Sequence, residues 1–324
     1  MRRLTLALLS CLAVGASGGA WAQSEQWPSR PIRAIVPVAP GTGADVIFRL
    51  VFNQLSIQLG QQIVVENRGG AGGTIATAAV SKADPDGYTI LANSTGHAIA
   101  PAIYPGIGYD VSRDFAAVAA FGRTPTALVM APSKGIKTVQ KFVAAAKAKT
   151  AADAFTFASA GVGSTTHLTA ERFRLSAGFP AIHVPFKGGG FRPEVASGRV
   201  DFAFSPIAVA VPDIRDGRLL ALAVSSRTRV SALPDVPSTT EAGYANSDYA
   251  LWLGMFVPIK TPRAIVDRLH AESVKALQAP ALRDKLASLD VEPMAMTPSE
   301  FDAFVRDEVV AQAALAKAAG LKAN

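Results

Sequence analysis

The chain has 324 residues, 49% of them hydrophobic, with 32 lysines and arginines against 25 aspartates and glutamates and one cysteine. The basic residues are scattered, with no basic run of five or more and no interleaved aromatic stripe, which argues against nucleic-acid binding. Past Cys11 the chain has no cysteine, so disulfides, a thiolate nucleophile and a cysteine metal site are excluded there.

The first segment, "MRRLTLALLSCLAVGASGGAWA" (1–22), combines two arginines, an apolar run from Leu4 to Val14 and small residues at Ala20 and Ala22. This is the pattern of a secretory signal peptide, and cleavage is expected before Gln23. The apolar run is too short to span a bilayer, and no later segment supplies about 20 apolar residues. A lipobox reading of "LLSC" is the weaker one, because it would leave "LAVGASGGAWA" as an exposed apolar tail. An exported chain without cysteine suits a bacterial periplasm. Without Arg2 and Arg3, 30 basic residues face 25 acidic ones, a net charge of +5 that mildly favours anionic partners. About 300 residues then remain, a length that suggests two lobes.

Short β-branched runs alternate with helical patterns, which predicts an α/β architecture with largely parallel sheets. The predicted strands are "IRAIVPV" (32–38), "QIVVEN" (62–67), "YTILAN" (88–93), "FTFAS" (155–159), "AIHVPF" (181–186), "VDFAFS" (200–205) and "LLALAVSS" (219–226). Several are apolar on both faces, as buried parallel strands are. Between them, Asp45 to Leu59 reads as a helix whose Ile47, Val51, Leu55 and Leu59 form one core-facing stripe. From Pro262 onward the pattern is helical, punctuated by Pro280, Pro293 and Pro298. Two long stretches carry no strong break, "FAAVAAFGRTPTALVMAP" (115–132) and "LLALAVSS" (219–226). Taken as crossings, they give a discontinuous first lobe, 27–124 with 226–324, and a second lobe, 125–225, joined by a hinge of two crossovers.

In open parallel sheets ligands bind beyond the carboxyl ends of strands. Five loops stand there: "APGTGAD" (39–45), "NSTG" (93–96), "SAGVGST" (159–165), "FKGGG" (186–190) and "SPIA" (205–208). They are rich in glycine, serine and threonine, poor in charge, and each precedes a predicted helix. A helix N-terminus with free N–H donors binds carboxylate or phosphate without needing arginine. Nucleotide fingerprints are missing, since neither G-x-G-x-x-G nor G-x-x-x-x-G-K-[ST] occurs. The histidines His97, His167, His183 and His270 have no metal-ligand spacing, so neither a metal nor a cofactor is expected.

Ser164, His167 and Glu171 have the residue types of a catalytic triad, but the G-x-S-x-G elbow is absent. Ser164, Thr165 and Thr166 instead sit where a helix N-cap belongs. A serine hydrolase using Ser164 and His167 remains the alternative from another class.

Taken in order, "RPIRAIVPVAPGTGADVIFRL", "IVVENRGGAGG", "ADPDGYTIL", "GVGSTTHL", "VPFKGG", "GRVDFAFS" and "LPDVPSTTEAGY" resemble the Bug family of periplasmic solute receptors. These are the extracytoplasmic subunits of tripartite tricarboxylate transporters. The resemblance implies a two-lobed periplasmic-binding-protein fold of type II-like form. It implies a non-catalytic, monomeric receptor that closes on a small carboxylate solute and hands it to membrane permease subunits. A sensor subunit with the same fold is a further alternative. Residue by residue, the resemblance implies ligand contacts at Pro40, Gly41, Thr42, Gly43 and Asp45. It adds Asn93, Ser94 and Thr95, then Ala160, Gly161, Gly163, Ser164 and Thr165, and at the second lobe's edge Asp201 and Ser205. Two departures stand out. Thr42 replaces the family's usual glycine, and Phe191 and Arg192 occupy positions where small residues are common. Either these residues alter the solute, or Phe191 and Arg192 lie on an outer helix surface.

Overall fold

The computed structural model describes residues 27–321. The chain begins β1 (Ile32–Val36), α1 (Gly43–Leu59), β2 (Ile63–Asn67), α2 (Thr74–Ser81), β3 (Thr89–Ser94) and α3 (Thr95–Ile103). A long strand, β4 (Phe115–Met130), leads into α4 (Val139–Lys147), β5 (Phe155–Ser159), α5 (Thr165–Ala177), β6 (Ala181–Pro185), α6 (Arg192–Ala196), β7 (Phe202–Pro206), α7 (Ile207–Arg215) and β8 (Leu220–Val224). The chain returns through β9 (Ala250–Pro258) and ends in α8 (Arg263–Gln278), α9 (Pro280–Ser288) and α10 (Pro298–Ala318).

The strand order is β2-β1-β3-β9-β4-β7-β5-β6, with β8 on β4. β4 ties the halves together: Phe115 to Pro125 pair with β9, whereas Thr126 to Met130 pair with β7 and β8. The outer ladders, β1 with β2 and β3 and β5 with β6 and β7, are parallel, as the alternating sequence predicts. Every ladder of β4 and β9 is antiparallel. The physical reason is connectivity, since a chain that crosses a waist and returns beside itself must reverse direction.

Each half buries its own core. Ile47, Val51, Leu55 and Leu59 of α1 all face the first, as their spacing requires, with Ile32, Val36, Leu253 and Leu269. The second is aromatic, built from Phe142, Phe157, Phe173, Phe202 and Phe204. Residues between β8 and β9 stay with the second half. Val230 and Leu233 pack among its buried residues beside Val224, and Tyr244 packs on its aromatic core. The N–H of Val224 donates to the carbonyl of Pro237 and that of Thr239 to Val224, which ties this segment along β8 until Tyr249. The return expected at 226 therefore comes earlier in sequence than the packing places it. No described helix is long and apolar enough to cross a membrane.

Candidate ligand cleft

α3 and α7 follow β3 and β7 without a loop, while α1 and α5 follow β1 and β5 after six and five residues. Because β1 neighbours β3 and β5 neighbours β7, each half presents two helix N-termini side by side. These ends meet across the waist. Thr95 Oγ1, at the head of α3, lies 2.5 Å from Thr165 Oγ1 at the head of α5, and both residues are buried. At the other pair, a Cβ added to Gly43 at the head of α1 would come 2.7 Å from Pro206 Cβ, just before α7. A Cβ on Gly188 would sit 2.6 Å from Ala39 Cβ, and Tyr104 donates its hydroxyl hydrogen to the Val162 carbonyl at 3.1 Å. The halves are thus in contact around one ring of four helix N-termini.

The first-turn N–H groups of a helix have no partner within the helix. At α1, Thr42 Oγ1 accepts from Asp45 N, and at α5, Ser164 Oγ accepts from His167 N. The N-cap residues of α3 and α7, Ser94 and Pro206, make no side-chain cap bond. Ser205 adds to this end of α7 a hydroxyl that is fully buried and has no hydrogen-bond partner among the described residues. The ring therefore offers backbone donors, dipole ends and hydroxyls, the chemistry that holds an anion.

The structure sorts the predicted residues by role. Pro40 and Gly41 are exposed on the lip, and Thr42 spends its hydroxyl on the cap and on the Ala39 carbonyl. Asp45 is buried, and its carboxylate accepts from Gly41 N, Arg49 Nε and Asn67 Nδ2 at 2.8–3.1 Å. Burial pushes its pKa up, but these hydrogen bonds outweigh it and hold the group below the usual carboxylate range. Asn93 turns inward, donating to Thr77 Oγ1 and accepting from Ser94 N. In the glycine-rich loop, the N–H groups of Ala160, Gly161 and Gly163 donate to Thr166 Oγ1, Ser159 Oγ and His167 Nδ1.

Asp201 lies at the wrong end of its strand for the cleft. It precedes β7, and its carboxylate accepts from Lys134 Nζ at 2.7 Å and from Thr156 N and Oγ1 at 2.9 Å. Four residues of strand, about 13 Å at 3.3 Å per residue, separate it from Ser205 at the carboxyl end. Its chemistry is that of a clamp between β5 and β7. Arg49 and Asn67, which fix Asp45, escaped the sequence reading because nothing local marks them as partners of the lip.

Residues 47–321 match the family model described as tripartite tricarboxylate transporter family receptor. The chain belongs to this receptor family. It is 33% identical to protein BugT of Bordetella pertussis over 327 residues, which covers 99% of each chain. The structure of periplasmic binding protein BugD superposes with a TM-score of 0.85 at 30% identity, over 92% of this chain and 100% of that one. MatC of Rhodopseudomonas palustris, solved with bound malate, gives a TM-score of 0.82 at 30% identity over 89% and 99%. The fold is accordingly that of the periplasmic binding proteins.

Within this receptor family, the departures of the chain have structural explanations. Phe191 is 2% exposed and packs in the second half's core, so it is on neither the ligand nor the outer surface. Arg192 ties α6 to α7 by donating to the Val209 carbonyl at 2.6 Å and to Asp213 at 2.8 Å. The triad geometry is not formed. Ser164 Oγ donates to the Gly161 carbonyl at 2.7 Å, His167 Nδ1 is occupied by Gly163 N–H, and Glu171 pairs with Arg174.

Proposed function

We propose that this receptor works in the periplasm, closing two lobes on a small carboxylate-bearing solute and presenting it to membrane permease subunits. The lobes are 27–124 with 250–321, and 125–249, and β4 and β9 are the hinge. The observation that carries this reading is the meeting of four helix N-termini, two from each lobe, around Thr95, Thr165, Gly43 and Pro206. Each lobe alone offers half of the anion's donors, so the solute gains its full set only when the lobes close, and binding drives closure. Pro40, Gly41, Thr42, Gly43, Ser94, Thr95, Ala160, Gly161, Gly163, Ser164, Thr165 and Ser205 frame the cleft. Asp45 and Asn93 brace it from behind.

One chain supplies both halves of the ring, so a monomer suffices. The reading as a receptor and not an enzyme is supported by Ser164, whose hydroxyl caps α5 and has no imidazole to take its proton. MatC's bound malate fits such a site, with an anionic group for the helix ends and hydroxyls to meet its polar remainder. The deciding experiment is mass spectrometry of solute released from the purified protein, with calorimetric titration of malate beside it. Release of a carboxylate that rebinds supports the receptor. Turnover of an ester, lost in Ser164→Ala, would replace it with a hydrolase.

A further inference from the structure

Beneath the glycine-rich loop lie two imidazoles that nothing in the ligand ring requires. His167 of α5 and His183 of β6 stack with ring centroids 3.8 Å apart and planes 8° from parallel, and Phe157 of β5 lies on His183 at 4.8 Å. Each ring reaches one end of the loop. His167 Nδ1 accepts the Gly163 N–H at 3.1 Å. His183 Nε2 meets Ser159 Oγ at 2.6 Å, and that same hydroxyl accepts the Gly161 N–H at 3.1 Å. Gly163 holds φ +75, a conformation that side chains rarely adopt, and in it the N–H points inward at His167.

We propose that His167 and His183 are positioning residues for solute capture: His167 takes the inward-facing Gly163 N–H directly, His183 holds the Ser159 hydroxyl that takes the Gly161 N–H, and so they aim the head of α5 at the anion. This rests on the reading of the loop as part of the solute site. The role depends on neutral rings, because a proton on His167 Nδ1 would set a donor against the Gly163 N–H. Burial, then the neighbouring His183 and Arg174, pushes His167 down to about 3, and burial pushes His183 down to about 4. The charged group that acts on His167 besides His183 is Arg174 of α5, itself paired with Glu171, and from β5 Phe157 and Ser159 meet His183. The acceptor is therefore available at neutral pH, and the accepting Nδ1 fixes His167 as the Nε2–H tautomer.

Two substitutions separate hydrogen bonding from stacking. His167→Phe keeps an aromatic ring against His183 but removes the acceptor, whereas His167→Asn removes the ring and places an amide oxygen near the former Nδ1. Malate affinity, read by calorimetry beside thermal melts, should fall about tenfold in the Phe variant and recover to within about threefold of the parent in the Asn variant. A Phe variant that binds as the parent does, with an Asn variant that does not, would overturn the proposal. Gly163→Asp is the control for the underlying reading. If it binds malate normally, the loop is not the site and both ideas fall; if it alone loses binding, only the positioning role falls. Imidazole 15N spectra and Gly163 amide exchange of the unaltered protein need neither a folded variant nor malate. The Nε2–H tautomer with a protected Gly163 amide is expected, and an Nδ1–H tautomer or a freely exchanging amide would overturn the role.

Discussion

Thr95 and Thr165, 70 residues apart in sequence, touch hydroxyl to hydroxyl at 2.5 Å, and they are the first residues of helices from opposite halves of the molecule. Neither side chain can reach the other unless the halves are closed. In a closed molecule the pair is a direct measure of closure, independent of the identity of the solute.

Cysteines at both positions should therefore crosslink. Thr95→Cys with Thr165→Cys, oxidised after purification, is expected to form one disulfide and lock the cleft. Solute exchange should stop until a reductant is added, and scattering should show no change in size with ligand. Two thiols that stay free under oxidant, in a folded protein, would show that these helix heads do not meet.

The Asp45 carboxylate organises the lip without lying on it. It is 2% exposed and receives three partners, Gly41 N, Arg49 and Asn67. Asp45→Ala should cost about 2 to 3 kcal/mol, since the hydrogen bonds that Gly41 N, Arg49 and Asn67 make to a buried charge are lost, while Arg49 keeps only its bond to Asn67 Oδ1. Asp86→Ala, which breaks the exposed pair with Arg30, should cost under about 1 kcal/mol. Urea denaturation of the two variants checks the contrast, and equal losses would contradict a bracing role for Asp45.

The sequence made the outer frame readable because its signals are local. The apolar spacing of Ile47, Val51, Leu55 and Leu59 marks α1, and "FTFAS" marks β5 to the residue. Strand β9, "ALWLGMFVP", is not among the predicted strands, although it returns the chain antiparallel beside β4. Its identity comes from pairing with β3 and β4, partners more than 120 residues away. The cleft shows the same division. Glycines and hydroxyls after strands point to Gly43, Thr95, Gly163 and Ser205, but a carboxylate in such a loop looks the same whether it meets solvent or a buried partner. Asp45 and Asp201 become braces only when Asn67 and Thr156 are brought beside them by strand register.

Acid should weaken the fold through its buried histidines. Burial holds His97 and His167 down to about 3 and His183 to about 4, with the charges of His183 and Arg174 adding at His167. In the unfolded chain each binds a proton near pH 6.5. Between pH 6.5 and 4 the unfolded state thus binds more protons, and stability falls as pH falls, by up to about 1.4 kcal/mol per pH unit for each of the buried rings His97 and His167, and by less for the partly exposed His183, which solvent screens. Stability is fully present above pH 6.5. Urea midpoints measured from pH 7.5 to 5 should decline steadily, and a flat profile over that range would mean these rings are not held neutral by burial.

Gly43 gives the cleanest test of closure, because its backbone is helical and its only tight neighbour is in the other half of the molecule. A Cβ there would lie 2.7 Å from Pro206 Cβ and 3.2 Å from Pro206 Cγ, both closer than carbon atoms approach without displacement. Alanine favours the helix over glycine by about 1 kcal/mol, so Gly43→Ala should leave the separate halves as stable as before or more so. The methyl group instead props α1 away from α7. Solute affinity should then drop at least about tenfold, since closure must either displace Pro206 or stop short of bringing the four helix ends together. Scattering at saturating solute should give a radius of gyration above that of the liganded parent. The contact between Gly43 and Pro206 would have no part in closure if the variant compacted fully and bound as tightly as the parent.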